Sequence, residues 1–149
     1  MKTAICYYSY HHGNTRKVVE AMAEGRDVDL FDLSKTTEAN LEAYDLIGFA
    51  SGIYAFSFHR TVTAFARGQL PEGKRVFFAY TYGGAKGMGT KEMVKIAREK
   101  QCVILGEFGC RGYDTFGPFK LVGGCGKGLP NESDLRRAKA FFSSLLPVG

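Results

Sequence analysis

The chain has 149 residues, 45% of them hydrophobic and 23% charged, enough to bury one sizeable core in a single domain over 1–149. No apolar run approaches the ~18 residues of a membrane span, and the opening "MKTAICYYSY" is too short and too polar for a secretory leader. The net charge of +5 is uneven, −2 over residues 1–73 and +7 over 74–149; its cations are scattered, so a solvated basic face is expected and a nucleic-acid partner is not.

"TAICYY" (3–8) reads as a buried strand, and 14–24 as an amphipathic helix with Val18 and Met22 one turn apart. "DVDLFDL" (27–33) alternates polar and apolar residues like a half-exposed edge strand, and "EANLEAY" (38–44) suggests a short helix. "DLIGFA" (45–50) is a second core strand and 59–68 a second amphipathic helix. "RVFFAYT" (75–81) makes a third core strand, followed by a helix over 88–100 with Met93, Ile96 and Ala97 on one face. "CVILGEF" (102–108) is a fourth, and the last helix covers 132–146 with Asn131 as cap and Asp134 three residues on. Residues 109–130 are rich in glycine and have no helical period, the kind of long loop that is usually functional.

Five strands alternating with helices, four of them apolar almost throughout, predict a three-layer α/β sandwich around a parallel sheet covered on both faces. The cysteines at 6, 102, 110 and 125 form no Cys-x-x-Cys pair; Cys6 and Cys102 fall in apolar runs, which predicts buried thiols in a reducing cytoplasm. Cys110 beside Arg111 raises a second option, a thiol of lowered pKa, against the plainer reading of an inert loop cysteine.

Ligands of open parallel sheets sit at the carboxyl ends of the strands, so the segments to inspect are 9–15, 51–58, 82–87 and 109–116. In "SYHHGNT" (9–15), Gly13 lets a ligand approach the backbone at a helix start, and Ser9, Asn14 and Thr15 add donors, which suits a phosphate. The plainer alternative is that Asn14 or Thr15 only caps the helix. His11 and His12, with His59, do not make a metal set: the first two are adjacent and point apart, and no cysteine or carboxylate completes them. "GAKGMGTK" (84–91) fails the Walker pattern because Thr90 stands where its lysine belongs, and the dinucleotide fingerprint is absent after the first strand.

Taken together, "YYSYHHGNTRKVVEAM", "YDLIGFASGIYAFSFH", "TYGGAKG" and "GYDTFGPFKLVGG" resemble, in order and over essentially the whole chain, the flavodoxin family of FMN-binding proteins. The resemblance implies a five-stranded sheet in the order 2-1-3-4-5 with Ser9, His11, His12, Gly13, Asn14 and Thr15 around the FMN phosphate. It places Ser51, Gly52, Ile53 and Tyr54 along one side of the isoalloxazine and Tyr82, Gly83 and Gly84 along the other, with Phe56 and Tyr113 as weaker stacking candidates. It implies electron transfer with a redox partner protein or a small-molecule acceptor, and no acid–base catalytic residue. The alternative is an FMN-dependent NAD(P)H oxidoreductase that reduces a quinone, with the 109–130 loop roofing the ring. Two departures stand out: the histidine pair replaces small and hydroxyl residues, and the pI of about 9.0 contrasts with acidic electron-carrier flavodoxins.

Overall fold

The computed structural model describes residues 1–9, 13–83, 89–112 and 128–147. Five strands, β1 (Thr3–Tyr8), β2 (Val28–Asp32), β3 (Leu46–Tyr54), β5 (Arg75–Tyr82) and β6 (Val103–Arg111), form one parallel sheet in the order β2-β1-β3-β5-β6. This is the expected 2-1-3-4-5 order. One unexpected strand, β4 (Ser57–Phe58), folds back antiparallel on the end of β3.

Side chains alternate between two cores. On one face Ala4, Cys6, Ile47, Phe49, Val76 and Phe78 meet α2 (Arg60–Gln69) and α3 (Lys91–Glu99). On the other, Ile5, Ala50, Phe77 and Ala79 meet α1 (Asn14–Ala23) and α4 (Glu132–Leu145). Burying a large side chain such as Phe49, Phe77 or Phe78 stabilises the fold by roughly 1.5–3 kcal/mol. Gly48 is required where it pairs with Phe77, because a Cβ there would overlap the Phe77 ring. Asn131 and Asp134 form the expected reciprocal cap of α4, with bonds of 3.0 and 2.9 Å. Among the described residues no helix is long and apolar enough to cross a membrane.

The structure corrects two local expectations. Residues 38–44 are not helical: Leu41 and Tyr44 are buried anchors of an irregular crossover. The Asn40 side chain takes the Glu42 N–H at 3.1 Å, an Asx turn that competes with helix formation. Lys74 Nζ donates to the carbonyls of Glu42 and Tyr44, fixing the same stretch. The second correction is to residues 51–54, which continue β3 rather than starting a loop. Their strand turns into β4 through Ala55 and Phe56, both at positive φ (50° and 66°) as a two-residue type I′ hairpin requires.

Candidate functional site

The carboxyl ends of β1, β3 and β5 gather every predicted site residue that falls within the described chain. His11, His12 and Gly84 lie outside it, as do Tyr113 and the 113–127 part of the long loop. Of that loop, residues 109–111 are instead the end of β6.

At the end of β1, Gly13 occupies the N-cap of α1 in the left-handed region, at φ 66°. Glycine has no side chain to cap with, and Ser9 does the work from four residues earlier: its Oγ accepts the Arg16 N–H at 3.1 Å. Asn14 and Thr15 therefore lie inside the first turn of α1 and neither is its cap. Thr15 is 3% exposed, and its hydroxyl meets the Thr81 hydroxyl at 3.0 Å, a bond in which either oxygen can donate. Asn14 packs against Gly112, where an added Cβ would come within 2.5 Å of Asn14 Nδ2. The helix start is thus seated on the ends of β5 and β6 by two side chains.

At the end of β3, Ser51 is fully buried; its hydroxyl donates to the Gly52 carbonyl at 2.6 Å and accepts the His59 N–H at 2.9 Å, tying the strand to the start of α2. The Tyr54 ring lies over Gly52, at 3.2 Å from where a Cβ would stand. Ile53 is half-buried against the α2/α3 core. Tyr8 stacks on His59 with centroids 3.9 Å apart, and Tyr54 meets the same imidazole edge-on at 5.1 Å. His59 itself caps α2, its Nδ1 accepting the Thr61 N–H at 3.1 Å. This use of a nitrogen lone pair fixes the neutral ring with the proton on Nε2. Burial, and secondarily the charge of Arg60, pushes the His59 pKa down, which agrees with that assignment.

At the end of β5, Tyr82 is half-buried beside Tyr80, with ring centroids 6.1 Å apart. Its carbonyl accepts the Gly112 N–H at 2.9 Å, and the Gly83 carbonyl accepts Arg111 Nε at 3.1 Å, so β6 braces this turn. Cys110 points the other way from Arg111, into the α4 core. Burial first, then the charge of Asp134, pushes its thiol up to about 12, so it stays protonated and the low-pKa option is set aside. Cys6 is likewise pushed up to about 12 by burial.

Sequence reasoning missed Thr81, Tyr8, Gly112 and the structural part of His59. Thr81 carried one signal, a small hydroxyl residue closing the largely apolar run "RVFFAYT". The partners of Gly112 and His59 come from distant segments and leave no local trace.

A parallel sheet in this order, with α1 starting above the strand ends where the order reverses, defines the flavodoxin-like class of α/β proteins. The chain belongs to the flavodoxin-domain family, whose family model, the Flavodoxin domain, matches residues 4–110. It is 40% identical over 148 residues to an uncharacterised protein of Methanocaldococcus jannaschii, covering 98% of this chain and 99% of that one. Among solved structures, a flavodoxin from the domain Archaea superposes with a TM-score of 0.66 at 18% identity, covering 96% of this chain and 95% of that one. A Fusobacterium nucleatum flavodoxin bound to flavin mononucleotide gives 0.66 at 13%, covering 97% of each chain. The rubredoxin:oxygen oxidoreductase of Desulfovibrio gigas gives 0.73 at 13%, covering 96% of this chain but only 35% of that larger protein.

Proposed function

We propose that the chain, as a single domain, binds one FMN noncovalently across the ends of β1, β3 and β5 and serves in electron transfer. The observation that carries this reading is the start of α1. Gly13 is left-handed, a Cβ there would meet nothing within 4 Å, and Ser9 and Thr15 bring hydroxyls to the same turn. With the positive end of the helix dipole, that turn suits a terminal phosphate. One glycine fits a mononucleotide and lacks what a pyrophosphate needs. Membership of the flavodoxin-domain family supports the same ligand, as does the FMN bound to the Fusobacterium flavodoxin.

In this reading Ser9, His11, His12, Gly13, Asn14 and Thr15 surround the phosphate. Ser51, Gly52, Ile53 and Tyr54 line one side of the ring, and Tyr82, Gly83 and Gly84 the other. Bound FMN supplies one- and two-electron redox chemistry. The protein's part is to anchor the phosphate, to present flat aromatic faces, and to let backbone amides near Gly52 and Gly83 reach the ring's polar edge. The redox partner is a protein or a small-molecule acceptor. The buried, protonated thiols of Cys6 and Cys110 suit a reducing compartment, and we place the protein in the cytoplasm.

Titrating the apoprotein with FMN and with riboflavin tests the reading through the quenching of flavin fluorescence. FMN is expected to bind more tightly, and equal affinities contradict a phosphate site at α1. Steady-state oxidation of NADH or NADPH with a quinone acceptor would move the function to the reductase alternative.

A further inference from the structure

Two features bring positive charge to the carboxyl edge of the sheet. Helices α1, α2, α3 and α4 all begin there, so their dipoles present positive ends. Helix starts normally carry Asp or Glu in the first turn to offset this, and α4 does, with Glu132 and Asp134. Helix α1 has no acid in its first turn and places Arg16 there. Helix α2 has none and opens on Arg60; α3 opens on Lys91, followed by Glu92 as the acid of its first turn.

Each of these cations works against its own helix dipole, and in α1 and α2 no first-turn acid offsets it. Residues that break such rules without a stabilising return are expected at functional positions. Of the acids at this edge, Glu92 pairs with Arg67, Asp134 with Arg137, Glu132 lies 3.9 Å from Arg136, and Glu107 accepts the hydroxyl of the α3 cap Thr90 at 2.9 Å. Asp32, the last residue of β2, accepts from Ser34. Arg16 pairs with Glu20 at 2.7 Å. Arg60 and Lys91 are exposed and form no ion pair among the described residues. A phosphate at α1 would account for cations beside α1, but Arg60 and Lys91 follow β3 and β5, on the side of the proposed ring.

We infer that this edge is the docking surface for an acidic electron-transfer protein, steered by Arg60 and Lys91 onto the exposed side of the flavin. The inference rests on the FMN reading above and names the charge class of its redox partner. At each productive encounter one electron leaves the partner's reduced centre and enters the flavin, with solvent supplying any proton.

The test uses the protein loaded with FMN, its loading checked first by absorbance, and a reduced plant-type [2Fe–2S] ferredoxin as an acidic probe. Anaerobic stopped-flow gives the second-order rate constant for flavin reduction at about 20 mM and about 500 mM salt, where charges are respectively weakly and strongly screened. The rate is expected to fall as salt rises. The variant R60E/K91E should lower the low-salt rate about tenfold or more, within the range electrostatic steering spans, and flatten its salt dependence. The control R75E/R98E changes the net charge equally, from exposed positions at the opposite edge, and should leave the rate within about twofold of wild type. Because R60E/K91E exchanges a cation for an acid at the first position of two helices, its melting temperature should not fall, which separates docking from folding. A rate that is flat or rises with salt, or equal losses in the two variants, overturns the inference and leaves FMN binding standing. A protein that takes up no FMN overturns both.

Discussion

The contact between Thr15 and Thr81 couples the start of α1 to the end of β5, and a double-mutant cycle measures what that coupling does. Both residues are 3% or less exposed and their hydroxyls stand 3.0 Å apart. Thr15→Val keeps the shape but leaves the Thr81 hydroxyl buried without this bond, at a cost of about 1–3 kcal/mol. Thr81→Val does the same to Thr15. The double variant removes both groups together and should cost much less than the sum of the singles. In a chain of this size each kcal/mol corresponds to about 2–4 °C in melting temperature, so thermal and urea unfolding read the cycle directly. Flavin affinity supplies the second axis. If Thr81 donates to Thr15, the Thr15 proton is left for the phosphate, and Thr15→Val should weaken FMN binding by about 1–3 kcal/mol. Riboflavin, which has no phosphate, should lose much less. Strictly additive stability losses would refute the coupling, and equal losses for the two flavins would refute the phosphate contact.

Phe56 is 64% exposed at φ 66°, so Phe56→Gly should remove about 1–2 kcal/mol of backbone strain while losing little burial, and raise the melting temperature; a fall would show that the ring packs in solution. Gly48→Ala should destabilise by about 1–3 kcal/mol through overlap with the Phe77 ring, read by urea unfolding; a neutral result would mean that the two strands shift freely. His59 has its pKa lowered in the folded state, so its contribution is fully present above its unfolded value and is lost as pH falls from there through the folded value. His59→Asn keeps a capping side chain without a titrating group and should flatten that part of the acid limb, whereas an unchanged stability–pH profile would contradict the neutral cap.

Most of this fold is legible in the sequence because the parallel strands are apolar almost throughout. "TAICYY", "DLIGFA" and "RVFFAYT" are each bounded by turn residues, and Asn131 with Asp134 announces its helix without ambiguity. The crossover at 38–44 misleads because Leu41 and Tyr44 have helical spacing, while what fixes them is an Asx turn and a lysine from residue 74. The β3–β4 hairpin is hidden because its turn is Ala-Phe, where Asn-Gly is the readable signal. At the site, Gly13 and the hydroxyls around it mark the start of α1 from sequence alone. What seats that start is Thr81 and Gly112, 66 residues and more away, and only the tertiary fold brings them there.

The central claim, that the carboxyl ends of β1, β3 and β5 hold one FMN, is tested most directly on the purified protein. Its visible absorption is recorded before and after denaturation, and the released small molecule is identified by mass, after incubation with free flavins if the preparation is colourless. The account predicts a yellow protein that releases FMN at one per chain. Release of a dinucleotide, or a protein that stays colourless after incubation with FMN, would contradict it.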